Sequence, residues 1–191
     1  LDDDVVEMTF SGEFVRRYTR PREDAPPNAT LVALSGNMHH EAFPRHDGSF
    51  LVLTHSERRA PEYPTSYEDP ESSLHVPATV QSSVVNLVEE DGTVTRSVDV
   101  LDLIDSSRIS YDSLDNTVKD WVHGNALIEH PDGSVIVSLR HQDAVLKIDE
   151  AGKLEWILGD WAGWRPEFGG KLLTPIGDDF HRVLVRFGFM E

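Results

Sequence analysis

The sequence predicts an all-β chain of repeated antiparallel hairpins, and three observations carry that expectation. Three stretches, "VVEMTFSGEFVRRYT" (5–19), "VVNLVEEDGTVTRSV" (84–98) and "AVLKIDEAGKLEWIL" (144–158), share one layout: an alternating apolar strand, a polar turn holding glycine, and a second strand. Two others, "HHEAFPRHDGSFLVLTH" (39–55) and "GNALIEHPDGSVIVSLR" (124–140), turn on an Asp-Gly pair. Alternation of period two marks strands with one buried face, and glycine supplies the positive φ of a tight hairpin turn. The two kinds of hairpin alternate along the chain, so it reads as the second half of one four-stranded unit followed by two complete units. Recurring four-stranded antiparallel units are the signature of a β-propeller, whereas a sandwich gives no reason for residues to recur at matching places. The expected architecture is a partial β-propeller of about two and a half blades, a single incomplete segment over 1–191.

Taken in order, residues 1–20 read as the end of a blade, 30–100 as a blade, and 121–160 as the next. Within the first complete blade, "SERRAPEYPTSYEDPESSLHVPATVQ" (56–81) is rich in Pro, Ser and Glu and reads as a long loop at the blade edge or over a mouth of the ring. The link 101–120 has room for a short helix. Residues 161–191 read as a loop over the channel mouth with an atypical tail. Trp121, Trp156, Trp161 and Trp164 read as packing residues.

Composition excludes several functions. Lys and Arg number 17 against 34 Asp and Glu, a net charge of −17. Such a surface repels phosphate backbones, so no nucleic-acid partner is expected. No apolar run reaches the roughly 18 residues that span a bilayer. With no cysteine, disulfides, thiolate metal sites and cysteine nucleophiles are ruled out. Because the chain opens on Leu1, it is read as a segment, and a missing leader carries no information. Unpaired edges on an incomplete ring make a homo-oligomer an expected partner state.

The chemistry concentrates at the hairpin heads. Superposing the two Asp-Gly turns gives an offset of 85 residues, pairing Met38 with His123, His40 with Asn125 and His55 with Arg140. Side chains alternate along a strand, so His40 shares the face of His123 and Asn125, and His39 points the other way. First strands of propeller blades line the central channel. Two imidazoles, an amide and a guanidinium should therefore converge there. That set suits a tetrahedral oxyanion, since Arg offers a planar fork of donors and His and Asn add N–H groups. Histidine also serves as acid, base or nucleophile near neutral pH. "HHEAF" lacks the second His of HExxH, so a zincin is disfavoured, and no metal or other cofactor is expected.

The run "DWVHGNALIEHPDGSVIVSLRHQDAVLKID…GKLEWILGDWAGWRPEFGGKLLTPIG", with "MHHEAFPRHDGSFLVLTHSERR" and "YPTSYEDPE" upstream, strongly resembles the bacterial arylsulfotransferase family. The resemblance covers most of residues 36 to 180. It implies a six-bladed propeller, export to the periplasm, and sulfuryl transfer from a phenolic sulfate ester to a phenol through a sulfated histidine, without a nucleotide donor. It also implies roles for single positions: His123 and Arg140 hold the sulfuryl oxygens and stabilise the leaving phenolate, Asn125 binds substrate, and one histidine of "HHE" is a further catalytic group. The strand-face argument favours His40 for the last. The tail departs from the family. After "LTPIGDDF" relatives continue into an aromatic run ending in Gln-His, whose histidine is the nucleophile, whereas this chain reads "HRVLVRFGFME". His181 comes too early and is not assigned that role. The expectation is a truncated or frameshifted chain that lacks the nucleophile. The competing expectation is a non-catalytic propeller segment that binds anions or proteins.

Overall fold

The computed structural model describes residues 4–109, 113–114 and 116–174. Five glycine turns set its architecture. Gly12, Gly48, Gly92, Gly133 and Gly152 have φ between 79° and 90°, a region open to glycine at no steric cost. Each turn closes the same way. Arg45 N–H donates to the Ser49 carbonyl (2.9 Å) while Gly48 N–H donates to Arg45 (3.3 Å), and His130, Ser134 and Gly133 repeat the pattern at 2.8 and 2.9 Å. This is a three-residue hairpin loop ending in a left-handed glycine bulge. In both Asp-Gly turns the aspartate accepts from the backbone N–H and hydroxyl of the serine two residues on.

These turns join the strands of three sheets, none of them closed. The first holds β1 (Val5–Met8), β2 (Phe14–Thr19) and β3 (Thr30–Leu31). The second runs β4 (Met38–Pro44), β5 (Phe50–Pro64), β6 (His75–Val88), β7 (Val94–Asp99), with β8 (Val118–Asp120) added parallel to β6. The third runs β9 (Gly124–Glu129), β10 (Val135–Leu139), β11 (Ala144–Ile148), β12 (Leu154–Gly159). The protein is all-β, with β4 to β7 consecutive in the second, five-stranded sheet and β9 to β12 forming the four-stranded third. Among the described residues the helices are single 3-10 turns, at Val100–Asp102 in the link and at Arg140–Gln142 and Pro166–Phe168, and none could cross a membrane.

The sheets pack face to face. Alternate residues of β5 enter different cores: Leu51 and Leu53 join Trp121, Leu127, Val137 and Leu146 on one side, while Phe50 and Val52 join Tyr18, Val32, Met38 and Val88 on the other. A strand buried on both faces reads as a continuous apolar run, which is why "FLVL" does not alternate. Across the second and third sheets, Arg45 pairs with Glu129 (2.7 Å), Glu41 accepts from Leu127 N–H (3.1 Å), and Ser83 Oγ accepts from Gly124 N–H (2.9 Å).

The segment 56–81 corrects the loop expectation. Strand β5 continues through Pro64 and β6 starts at His75, leaving only 65–74 as the connection. The prolines that argue against a strand lie where no ladder donor is needed. Pairing slips between Ala60 and Tyr63, so Pro61 and Glu62 bulge opposite Pro77. The polar side chains are partnered too: Ser56 donates to Asp99 (2.6 Å), Gln81 meets His55 (2.9 Å), and the buried Tyr63 hydroxyl donates to the Ser113 carbonyl (3.0 Å).

Ahead of β4, a Cβ placed on Gly36 would overlap the His55 carbonyl, whereas one on Gly170 would meet nothing within 4 Å. Gly36→Ala should therefore lower the urea midpoint by the equivalent of about 1–3 kcal/mol with an unchanged slope. Gly170→Ala should leave the midpoint in place or raise it slightly.

Candidate functional site

Strand β4 enters its sheet with two histidines, and strict alternation would send their rings to opposite faces. The structure breaks that alternation. Pairing with β5 shifts between His39 and Ala42, and His40 takes φ 57°. Such a left-handed non-glycine residue carries about 1–2 kcal/mol of strain. As a result the two rings touch, Nδ1 to Nδ1 at 3.2 Å. His39 also stacks on His55 with centroids 3.7 Å apart and planes within 5°. The expectation that His39 points away is thereby corrected.

The second blade supplies the other half. His123, at φ 45°, precedes β9 and meets His40 edge-on, centroids 5.0 Å apart. His141 lies 4.7 Å from it, centroid to centroid. Five imidazoles form one row: His55, His39, His40, His123, His141. Sequence reasoning assigned roles to two of them. His55 and His141 were legible only as neighbours of named positions, His55 as the residue aligned with Arg140 and His141 as the residue after it.

The assumed superposition needs revision. Arg140 N–H donates to the His123 carbonyl (3.1 Å), and His55 N–H donates to Asn37 (3.4 Å). The match of His55 with Arg140 therefore stands, but Asn37 occupies the place of His123. Met38 is buried in the core beside Tyr18 instead. The bulge in β4 holds one residue more than the one in β9, where Asn125 sits. Asn125 Oδ1 accepts from Ser138 Oγ (2.6 Å), which leaves its amide nitrogen without a partner among the described residues. Of the four predicted groups, His40 and His123 are in ring contact and Arg140 is near enough for its charge to act on His40. Asn125 is exposed on the strand two residues past His123.

Asp120 is a site residue that sequence reasoning missed. Its Oδ2 lies 2.6 Å from His123 Nδ1, and its carbonyl accepts from His141 Nδ1 (2.7 Å). Burial pushes the Asp120 carboxyl up, but the His123 hydrogen bond and the charges of His123, His141 and His55 outweigh this and hold it below the usual range. The imidazoles shift the other way. Burial, with the neighbouring His55, lowers His39 to about 4, and burial, His123 and Arg140 lower His40. Donor atoms of Asp120, His123 and His141 lie within 4.8 Å of one another, the outline of a metal site. The 2.6 Å Asp120–His123 contact is a hydrogen bond; two ligands on a tetrahedral ion at about 2.0 Å would stand roughly 3.3 Å apart.

His39 and His40 give the fold a pH dependence with a definite sign. Below pH 6.5 an unfolded His39 takes a proton, while the folded ring resists until about pH 4. The stability from keeping it neutral is complete above 6.5 and is lost as pH falls through that window, and His40 acts in the same direction. Thermal unfolding followed from pH 7 to 4.5 should show a falling midpoint, and His39→Gln should flatten the decline. Asp120 contributes only further down, below its ordinary 3.8.

The site therefore joins hydrogen-bonding groups from two neighbouring sheets along one histidine row. No curated protein matches the sequence. The family model Arylsulfotransferase (ASST) matches residues 3–184, nearly the whole chain. The protein belongs to the arylsulfotransferase family.

Proposed function

We propose that the chain is part of an aryl-sulfate sulfotransferase and that His40, His123, Arg140 and Asn125 form its sulfuryl clamp. The observation that carries this reading is the contact between His40 and His123 from two different sheets, with the Arg140 charge beside them. The three face-to-face sheets are read as successive blades of a β-propeller, with the first strands, β4 and β9, on the channel side. The bacterial family resemblance carries the six-bladed ring and the periplasmic location.

In the donor half-reaction the S–O bond of a phenolic sulfate breaks, an S–N bond forms on a nucleophilic imidazole, and the phenolate leaves with a proton taken from the site. In the acceptor half the S–N bond breaks, a new S–O bond forms to the incoming phenol, and the phenolic proton returns to the site. Sulfuryl transfer spreads charge over the equatorial and leaving oxygens, so fixed donors around that charge supply most of the help. Arg140 is the permanent cation, His40 and His123 are donors that can also move protons, and Asn125 adds a neutral N–H. The nucleophile is not one of these four. His181 and the tail lie outside the described residues.

On this reading, calorimetry should show saturable binding of sulfate and of 4-nitrophenyl sulfate. His123→Ala and Arg140→Ala should each weaken it about tenfold or more, since a hydrogen bond to a charged group contributes about 1.5–3 kcal/mol. Binding should tighten as pH falls, because His40 gains its charge only below the ordinary histidine range. Absence of any saturable anion binding would instead favour a non-catalytic segment.

A further inference from the structure

Asp120 stands outside the clamp, yet it touches two members of the imidazole row. Its carboxylate oxygen Oδ2 lies 2.6 Å from His123 Nδ1, and its backbone carbonyl lies 2.7 Å from His141 Nδ1. Carbonyls and ionised carboxylates only accept hydrogen bonds. Both Nδ1 atoms must therefore carry their protons, whatever the charge on the rings. The second carboxylate oxygen, Oδ1, is buried with no hydrogen-bond partner among the described residues. Desolvation of that oxygen is offset only through Oδ2 and the surrounding imidazoles, chiefly the His123 hydrogen bond. His123 meanwhile holds a left-handed backbone, φ 45°, that turns its ring back onto the residue three positions earlier. Strain and an underpaired carboxylate are both spent on one contact.

We propose that Asp120 is a positioning residue of the clamp: its carboxylate fixes the His123 ring with the proton on Nδ1, so that Nε2 is the nitrogen turned to the guest. The proposal rests on the sulfotransferase reading for the identity of that guest. With Nδ1 committed, a neutral His123 offers a lone pair at Nε2, able to take the proton of an incoming phenol. A protonated His123 offers an N–H at the same atom, able to donate to a sulfuryl oxygen or to a departing phenolate, with Asp120 balancing the imidazolium charge. One ring in one orientation then serves both half-reactions. This is the relation between orienting carboxylate and histidine found in hydrolase triads. Among the described residues, His40 and His141 are in ring contact with His123, its charge acts on His39, and Arg140 acts on the adjoining His40; none of these is an anion. Among the described groups of the row, Asp120 is the anion that can hold the Nδ1 proton.

The test combines ring tautomer with anion affinity. In the 15N-labelled chain, neutral His123 should appear as the Nδ1–H tautomer. In Asp120→Ala it should revert to the Nε2–H form that free imidazole favours. Asp120→Leu, which fills the space without an acceptor, gives the same reading should the alanine variant fold poorly, and Asp120→Glu should restore the Nδ1–H form. Sulfate affinity separates positioning from simple charge. A bystander carboxylate repels the anion, so its removal would tighten binding, whereas loss of a positioner should loosen it about tenfold. Retention of the Nδ1–H tautomer in the folded alanine or leucine variant overturns the proposal, as does unchanged or tighter sulfate binding. If the unmodified chain binds no sulfate but the tautomer still switches, Asp120 keeps its role and the sulfuryl guest is lost.

Discussion

Four consecutive carbonyls, those of residues 120 to 123, hold this site in place. The Asp120 carbonyl accepts from His141 Nδ1, that of Trp121 from Gln142 Nε2, that of Val122 from His141 N–H, and that of His123 from Arg140 N–H. The segment they belong to is the crossing point between two sheets. It leaves β8, paired with β6, and enters β9 of the next sheet. Irregular backbone at such a crossing would strand its polar groups away from water, and a buried carbonyl without a donor costs as much as a lost hydrogen bond. The 3-10 turn at 140–142 supplies the donors, and in doing so fixes the distance from Asp120 to His123 and from His123 to His141. Every other property of the site inherits that spacing.

Behind this strap lies a polar core that carries no chemistry of its own. Gln142, fully buried, spans the carbonyls of Trp121 and Arg108. Arg108 donates to Gln142 in return and stacks on Trp164, its charge centre 4.5 Å from the ring, while Trp121 Nε1 donates to the Arg108 carbonyl (2.8 Å). Two short motifs thus divide their labour by residue. In "DWVH" the tryptophan anchors while the aspartate and histidine face the row. In "RHQ" the glutamine anchors, the arginine lends its charge, and the histidine does both. Such interlocked networks are strong when every member is satisfied, which lets the segment hold His123 in left-handed backbone without relaxing.

What was legible in the sequence follows from how local its physical cause is. The five turns were legible because a left-handed position needs glycine, and in three of them, at Gly48, Gly92 and Gly133, an adjacent aspartate caps the bend within two residues. The convergence of His40 and His123 followed from repetition of one hairpin, although the superposition had set Met38, not His40, opposite His123. The arm 50–64 and 75–88 was not legible, because three prolines and a run of charges mimic a loop. Only the opposition of Pro61 to Pro77 across the ladder, a non-local fact, makes them compatible with strands. The β4 bulge was hidden for a related reason. One extra residue in one strand shifts the face of everything before it, and neither "MHHEAF" nor its partner strand marks where the insertion falls. Asp120 went unnoticed because its partner sits three residues on, across a turn that exists only once His123 adopts positive φ.

Charge decides how such a site can attract an anion in a chain of net charge −17. Long-range attraction is not available, since the surface field has the wrong sign and the guest must approach against it. Nor are His39 and His40 strongly cationic before binding. Burial and mutual repulsion keep His39 near pKa 4 and lower His40, while Asp120 offsets charge at His123. What the row offers is protonation on demand. An anion beside an imidazole favours its charged form by the same Coulomb term that Arg140 uses to disfavour it. On the sulfotransferase reading, binding of the anionic guest therefore draws a proton from solvent onto the row, and that proton is the one the departing phenolate needs. A row of permanently charged lysines would bind sulfate more tightly, but its ammonium groups, with their ordinary pKa above 10, could not take the phenolic proton back at neutral pH.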